Sequence, residues 1–339
     1  TLFPYTTLFR SAQLAHERIS ESRVTPTVKA IRRASPAVVN IHGQKTVRAT
    51  AAGMAGAEGP ESFRQVNGMG TGVVIDARGY AVTNFHVVDG VREIEVTLAS
   101  GRTVAARLIS HDRRTDLAVI KIDTVDPLPV IQLGTSDDLL TGETVLALGN
   151  AFGYEHTVTR GIISALHRNV DVSPTQRYED LIQTDASINP GNSGGPLLNI
   201  NGEMIGINVA VRAGAQGIGF AIPVETALKI ANQLVESGSV DRGWLGVGIQ
   251  NLTPELAQTL EFEKGAGVLV NSVDSKTPAH EGGIKRGDII LQFDGNHVPG
   301  SKHLQKMVAD SKIGKDVQVK VFREGKERAL IVTIGKLVS

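Results

Sequence analysis

Between Gly70 and Pro223 the chain alternates short apolar runs, rich in β-branched residues, with glycine-bearing breaks. Glu93–Leu98 (EIEVTL) switches between polar and apolar at every second position, the period of a half-buried strand. Gly72–Asp76, Leu117–Ile122, Thr144–Leu148, Thr157–Ile163, Glu203–Val211 and Ile218–Ile222 read as further strands, and Ala37–His42 as an earlier one. Strands at this spacing with no helices between them predict antiparallel barrels or sandwiches. Ahead of them, Thr25-Pro26 supplies a capping hydroxyl and a proline for the first helical position, predicting a short helix to Ala34 that Ser35-Pro36 ends. Gln44–Gly68, rich in Ala, Gly and polar residues, reads as a long loop.

The period then changes. Val224, Ala227, Leu228, Ala231, Leu234 and Val235 fall on one helical face, so Val224–Glu236 is predicted as an amphipathic helix. Ser237-Gly238-Ser239 closes it and reads as a linker. Beyond it, Gly246–Ile249, Gly267–Val270, Asp288–Phe293, Val317–Phe322 and Arg328–Ile334 are candidate strands, with a candidate helix at Ser301–Ala309. They form a second domain with a separate small core.

Length agrees: 339 residues at about 150 per domain make roughly two domains. Glycine supplies 37 of them, about 11% against an ordinary ~7%, which suits a chain of many tight turns. Lys plus Arg and Asp plus Glu are 35 each, a balance that argues against a nucleic-acid binder. No cysteine is present, so disulfides, thiolate catalysis and Cys-ligated zinc are excluded together. Residues 1–11, TLFPYTTLFRS, back-translate onto a common sequencing-adapter oligonucleotide. They are read as an assembly artefact, with a signal peptide or anchor expected to have been lost upstream of Ala12. The expected organisation is then an N-terminal segment at 12–36, a larger domain at 37–238 and a small domain at 242–337.

The chemistry concentrates in Gly191-Asn192-Ser193-Gly194-Gly195-Pro196. A serine hydroxyl is a poor nucleophile until a base removes its proton, and the carbonyl it attacks becomes an oxyanion that needs preorganised donors. Glycines around Ser193 let the backbone turn tightly and aim amides in one direction, so the N–H groups of Gly191 and Ser193 are candidates for that hole. An incidental serine in a glycine-rich turn is the competing reading. Upstream, His86 follows a β-run, where a strand end could project it into a cleft. Asp116 opens the apolar run LAVIKI, an odd burial unless the carboxylate meets a histidine ring. The order His, Asp, Ser is that of the chymotrypsin type.

TNFHVV, RTDLAVIK, GNAFG, QTDASINPGNSGGP, IGIN and GFAIP together resemble the HtrA/Deg serine proteases, from about Thr27 onward. The resemblance implies a mostly β protein: a chymotrypsin-like double β-barrel of six strands each, with His86, Asp116 and Ser193 in the cleft between barrels, followed by a small α+β PDZ domain. It further implies trimers or larger cages, ATP-independent degradation of unfolded proteins and a place in the bacterial envelope or periplasm. No G-x-x-x-x-G-K-S/T run occurs, in keeping with ATP independence. Gly243-Trp244-Leu245-Gly246-Val247 resembles the carboxylate-binding loop of PDZ domains, and Thr277-Pro278-Ala279 through Gly287-Asp288-Ile289-Ile290 a second PDZ signature. Trp244, Leu245, Gly246 and Val247 are therefore expected to capture peptide C-termini, with a groove between Trp244–Ile249 and the helix at Ser301–Ala309. His303 faces either that groove or water.

Two departures from the family pattern stand out. Ala151 replaces the proline of the usual Gly-Asn-Pro-Phe-Gly loop, and Asn192 carries no charge to pair with a freshly cleaved N-terminus. Activity is therefore expected to be gated by ordering of Asn150–Thr157, Arg168–Tyr178 and Val211–Gly217. Ser187, six positions before Ser193, is not acidic, and Ile207, Asn208 and Val209 are candidate pocket walls, predicting cleavage after Val or Ala rather than Lys or Arg. Asp185 is assigned a structural role. His16, His42, His111, His156, His167, His280 and His297 lack ligand spacing and no H-E-x-x-H occurs, so no metal or cofactor is expected. A holdase or adaptor that binds unfolded chains without cutting, or alongside cutting, is the alternative, as is a site-specific protease triggered by a C-terminal peptide.

Overall fold

The computed structural model describes residues 23–48, 63–149, 157–173, 176–189, 191–209, 217–259, 262 and 266–337. Residues 1–11 lie outside this set, as do 150–156 and 211–216 of the expected gating loops. The chain divides into two units between Val240 and Asp241.

In the first unit helix α1 (Pro26–Ala34) starts as expected: the Thr25 hydroxyl accepts from the Val28 N–H at 3.3 Å, with proline at the first helical position. Six antiparallel strands then close a barrel in the order β1-β2-β3-β6-β5-β4. These are β1 (Val38–Arg48), β2 (Phe63–Asp76), β3 (Tyr80–Asn84), β4 (Val91–Thr97), β5 (Thr103–Asp112) and β6 (Leu117–Ile122), with a helical turn α2 (Phe85–Val88) after β3. A second barrel follows in the order β10-β11-β12-β9-β8-β7. Its strands are β7 (Thr144–Gly149), β8 (Thr157–Ser173), β9 (Gln176–Thr184), β10 (Pro196–Asn199), β11 (Met204–Val209) and β12 (Gly219–Pro223). Helix α3 (Val224–Ser237) buries Val224, Ala227, Ile230, Ala231 and Leu234 and ends on Gly238 in the left-handed conformation. It packs on β5 and β6 of one barrel and on β11 and β12 of the other. This cover explains why LAVIKI is apolar almost throughout: β6 has the barrel interior on one face and α3 on the other.

Two loop expectations need correction. Within Gln44–Gly68, residues 44–48 and 63–68 extend β1 and β2, pairing from Gln44↔Asn67 to Arg48↔Phe63. Main-chain hydrogen bonds can carry a ladder outward without an apolar pattern to announce it. Within Arg168–Tyr178, the described residues belong to the β8–β9 hairpin, whose register shifts at several points.

The second unit is a sheet in the order β14-β15-β16-β18-β19. The strands are β14 (Val247–Asn251), β15 (Val268–Val273), β16 (Ile289–Phe293), β18 (Asp316–Arg323) and β19 (Lys326–Thr333), while β17 (Asn296–His297) pairs with β16. Outside it, β13 (Gly243–Trp244) pairs with β20 (Gly335–Lys336). Helices α4 (Pro254–Thr259), α5 (Pro278–Glu281) and α6 (Ser301–Asp310) complete the unit. Its core holds Leu245, Val268, Ile290, Phe293, Leu304 and Val319 among others, separate from the barrels. Buried Asp288 and half-buried Arg323 lock it with two hydrogen bonds of 2.6 and 2.7 Å.

Candidate active site

Strand pairing sets the first half of the site. β3 pairs with β6 so that Asn84 lies opposite Leu117. His86, two residues beyond the end of β3, and Asp116, one residue before β6, therefore meet at the same end of adjacent strands. The His86 ring Nδ1 lies 2.6 Å from Asp116 Oδ2, and the His86 backbone N–H donates to Oδ1 at 2.9 Å. An ionised carboxylate only accepts, so the ring proton sits on Nδ1 and Nε2 is left as the basic nitrogen.

Asp116 is 4% exposed and holds a left-handed backbone, φ +57°. Such a conformation costs of order 1 kcal/mol away from glycine, though Asp tolerates it better than most residues. The contacts formed there offset the cost. The Asp116 carbonyl accepts from Phe85 N at 2.9 Å and Asn84 Nδ2 at 3.1 Å, and Oδ2 also accepts from the Tyr178 hydroxyl at 2.9 Å. Burial, and then the carboxylate beside it, push the Tyr178 hydroxyl up, so it keeps its proton and remains a donor.

Ser193, 2% exposed, sits on a turn of the second barrel that is bolted to the first. Thr71 of β2 donates its N–H to the Ser193 carbonyl at 3.0 Å and its hydroxyl to the Gly191 carbonyl at 2.6 Å. Gly194 has φ +81°, and a Cβ there would lie 2.3 Å from both Thr71 O and Thr83 Oγ1 and 3.0 Å from Asn84 N. Only glycine lets the turn approach the end of β3 this closely. Ser193 is thereby brought against the end of β3, the strand that leads into the turn carrying His86. The Gly191 carbonyl is thus tied down, and among the described residues the Gly191 N–H meets no acceptor. Asn192 is the turn's internal strut: its Oδ1 accepts from Asn189 N at 2.9 Å and its Nδ2 donates to Ser187 O at 3.0 Å.

The other sequence candidates separate. Ile207 and Val209 are fully buried in the hydrophobic core, their side chains on one face of β11. Asn208 points to the opposite face, donates to Pro196 O at 3.0 Å and leaves its Oδ1 buried without a partner among the described residues. Ser187 is exposed, and Asp185 accepts from Ile162 N at 2.7 Å, tying the segment to β8. Thr71 and Tyr178 were not singled out by the sequence. Thr71 offers no signal beyond a hydroxyl between two glycines, and Tyr178 only an aromatic among charges.

In the second unit, Gly246 has φ +77° and a Cβ there would strike the Thr277 side chain at 2.4 Å. The Leu245 carbonyl accepts from Ala279 N and the Gly246 carbonyl from Asp274 N. Among the described residues, the Leu245 and Gly246 amides donate to no backbone carbonyl. The following strand, β14, is an edge of its sheet, and α6 lies alongside it, with Ser301 N donating to Asn251 Oδ1 at 2.8 Å. Trp244 and Val247 flank the loop, and His303 is exposed on α6.

Among the described residues, no three His, Asp or Glu side chains gather as a metal site, and no helix is long and apolar enough to cross a membrane.

A trypsin-like peptidase domain family matches residues 70–207, and a PDZ domain family matches residues 243–334. A protein of Halomonas elongata named as a DegP-like periplasmic serine endoprotease is 40% identical, over 97% of this chain and 74% of its own. A protein of the same name from Pseudomonas savastanoi pv. phaseolicola is 45% identical over 81% of this chain and 57% of its own. The solved HtrA-type protease AlgW bound to a decapeptide superposes with a TM-score of 0.80 at 40% identity, over 92% of this chain and 99% of that one. The serine endoprotease of Yersinia pestis superposes with a TM-score of 0.72 at 35% identity, over 93% and 99%. With two closed six-stranded barrels, a PDZ unit and relatives alike along nearly its whole length, the chain belongs to the HtrA family of DegP-like serine endoproteases.

Proposed function

We propose that this protein cuts unfolded polypeptides by an ATP-independent serine mechanism in the periplasm, where its relatives are named as working. Ser193 Oγ attacks the peptide carbonyl carbon while His86 Nε2 takes its proton. The N–H groups of Gly191 and Ser193 hold the resulting oxyanion. The C–N bond then breaks, with the His86 proton passing to the leaving amine, and water admitted by the same base hydrolyses the acyl-enzyme. Asp116 keeps His86 in the required tautomer throughout. The observation that carries this reading is the doubly held His86–Asp116 pair at the strand end against which the Ser193 turn is packed.

The domain limits proposed are 37–238 for the protease and 242–337 for the PDZ unit, supported by the division at Val240. Trimers or multiples of trimers are the proposed assembly. A non-acidic Ser187 argues against cleavage after Lys or Arg, and cleavage after Val or Ala is the proposed preference. Ser193→Ala is expected to lower turnover of an unfolded protein about 10⁶-fold, the loss measured for the corresponding change in subtilisin. Wild-type turnover by that variant would contradict the mechanism.

A second binding role is supported by the edge strand β14 and the two amides of Leu245 and Gly246. The PDZ unit captures a peptide C-terminus by adding a strand at that edge while the amides hold the carboxylate. A peptide with a free C-terminus should bind, and its C-terminal amide should bind far more weakly. Equal binding of the two would remove the carboxylate from the account.

A further inference from the structure

From the geometry around Asp116 we propose that Tyr178 is a positioning residue for the proteolytic reaction: its hydroxyl fixes the Asp116 carboxylate and sets how strongly that carboxylate grips His86. The proposal rests on the triad reading above and adds a fourth side chain to it. Tyr178 reaches the site from β9 in the second barrel, whereas His86 and Asp116 belong to the first. Its hydroxyl donates to Oδ2, the same oxygen that holds the His86 ring, and not to Oδ1, which serves the His86 backbone.

Two consequences follow from that sharing. First, the carboxylate is held from three directions, so it cannot rotate about its own axis without breaking one of three hydrogen bonds. Second, a phenol donating to Oδ2 draws negative charge from the oxygen facing Nδ1, which weakens the pull on the ring proton. The tyrosine is buried at 8% exposure and packed with the barrel core, so water does not replace it as donor. The strand around it is braced to the segment before Asp116. Gln176 Nε2 donates to the Arg114 carbonyl at 3.4 Å, and Arg114 lies 3.8 Å from Glu179. The β8–β9 hairpin thus delivers a hydroxyl to a fixed point beside the proton relay.

The test uses Tyr178→Phe in the full chain, with peptide hydrolysis and the low-field proton resonance of His86 Nδ1–H as readouts. The proposal predicts a fall in kcat of about tenfold, the scale of a hydrogen bond to a charged group, with KM within about twofold. It also predicts a downfield move of the resonance, because Oδ2 regains charge. If Tyr178→Phe does not fold, 3-fluorotyrosine placed at position 178 keeps the hydroxyl and makes it a stronger donor. The resonance should then move upfield. An unmoved resonance in the folded variant, whatever its kcat, would overturn the proposal, as would wild-type kcat. The resonance reports the His86–Asp116 pair without requiring Ser193 to be the nucleophile, so failure of the triad reading would show separately, as a Ser193→Ala variant that still cleaves.

Discussion

Asp116 holds His86 at two points, one carboxylate oxygen on the backbone N–H at 2.9 Å and the other on the ring Nδ1 at 2.6 Å. Position and tautomer of the His86 ring are therefore set by one side chain. In Asp116→Asn the amide can still accept from the His86 backbone, but its NH₂ then faces Nδ1. The ring must shift its proton to Nε2, where it can no longer accept one from Ser193. A loss of kcat of about 10⁴-fold is expected, the size found for this change in a related triad, with substrate binding retained. A loss below tenfold in steady-state peptide hydrolysis would contradict the assignment.

Thr71 ties the serine turn to the first barrel through the carbonyl of Gly191. Thr71→Val keeps the shape and removes the hydroxyl, leaving that carbonyl buried without its partner. The expected cost is about 1–3 kcal/mol, appearing mainly in kcat. Chemical denaturation and peptide turnover measured on the same preparation should both fall.

Asn192 can be replaced by no acid without penalty. In Asn192→Asp a carboxylate oxygen would face the Ser187 carbonyl, where an N–H now donates at 3.0 Å. The site is 1% exposed, so a buried charge meets a like dipole with no compensating cation on the turn. A destabilisation of about 3 kcal/mol is expected, with loss of active-site titre. Equal stability of the two proteins would show that the turn tolerates charge.

Glu225, in the first turn of α3, supplies a pH-dependent hold. Burial tends to raise its carboxyl, but hydrogen bonds from Ser136 and Thr135 prevail and hold it below its usual value of 4.5. A carboxylate depressed on folding stabilises the protein above its unfolded value, and this contribution is lost as pH falls through the folded one. Glu225→Gln should therefore be less stable than wild type at pH 7, by about 1 kcal/mol once solvent screening is allowed for. The gap should close as pH falls below 4.5. A gap that persisted under acid would assign the effect to packing.

The parts of the fold that could be read directly from the chain are those with a strong period or a dense motif. Helix α3 was legible because its buried residues recur every three or four positions, and β4 because it alternates. His86, Asp116 and Ser193 drew attention by their local contexts, and the first two meet at hydrogen-bond distance. β5 was not, because it carries Leu108 on an exposed face and polar residues at its end. The outer halves of β1 and β2 were not either, since their pairing runs through main-chain groups that any residue offers. Thr71 and Tyr178 escaped for a different reason. Each contributes one hydroxyl whose partner lies 120 or 62 residues away, and only barrel closure and strand register bring them together.

A Ser193 hydroxyl activated by His86 has a direct chemical signature. Labelling with a serine-reactive organophosphonate, followed by mapping of the modified peptide, tests it most directly. One label per chain is expected, on Ser193, with none on Ser193→Ala and very little on His86→Ala. An unlabelled wild-type protein that nevertheless degrades an unfolded substrate, or a label borne by another residue, would contradict it.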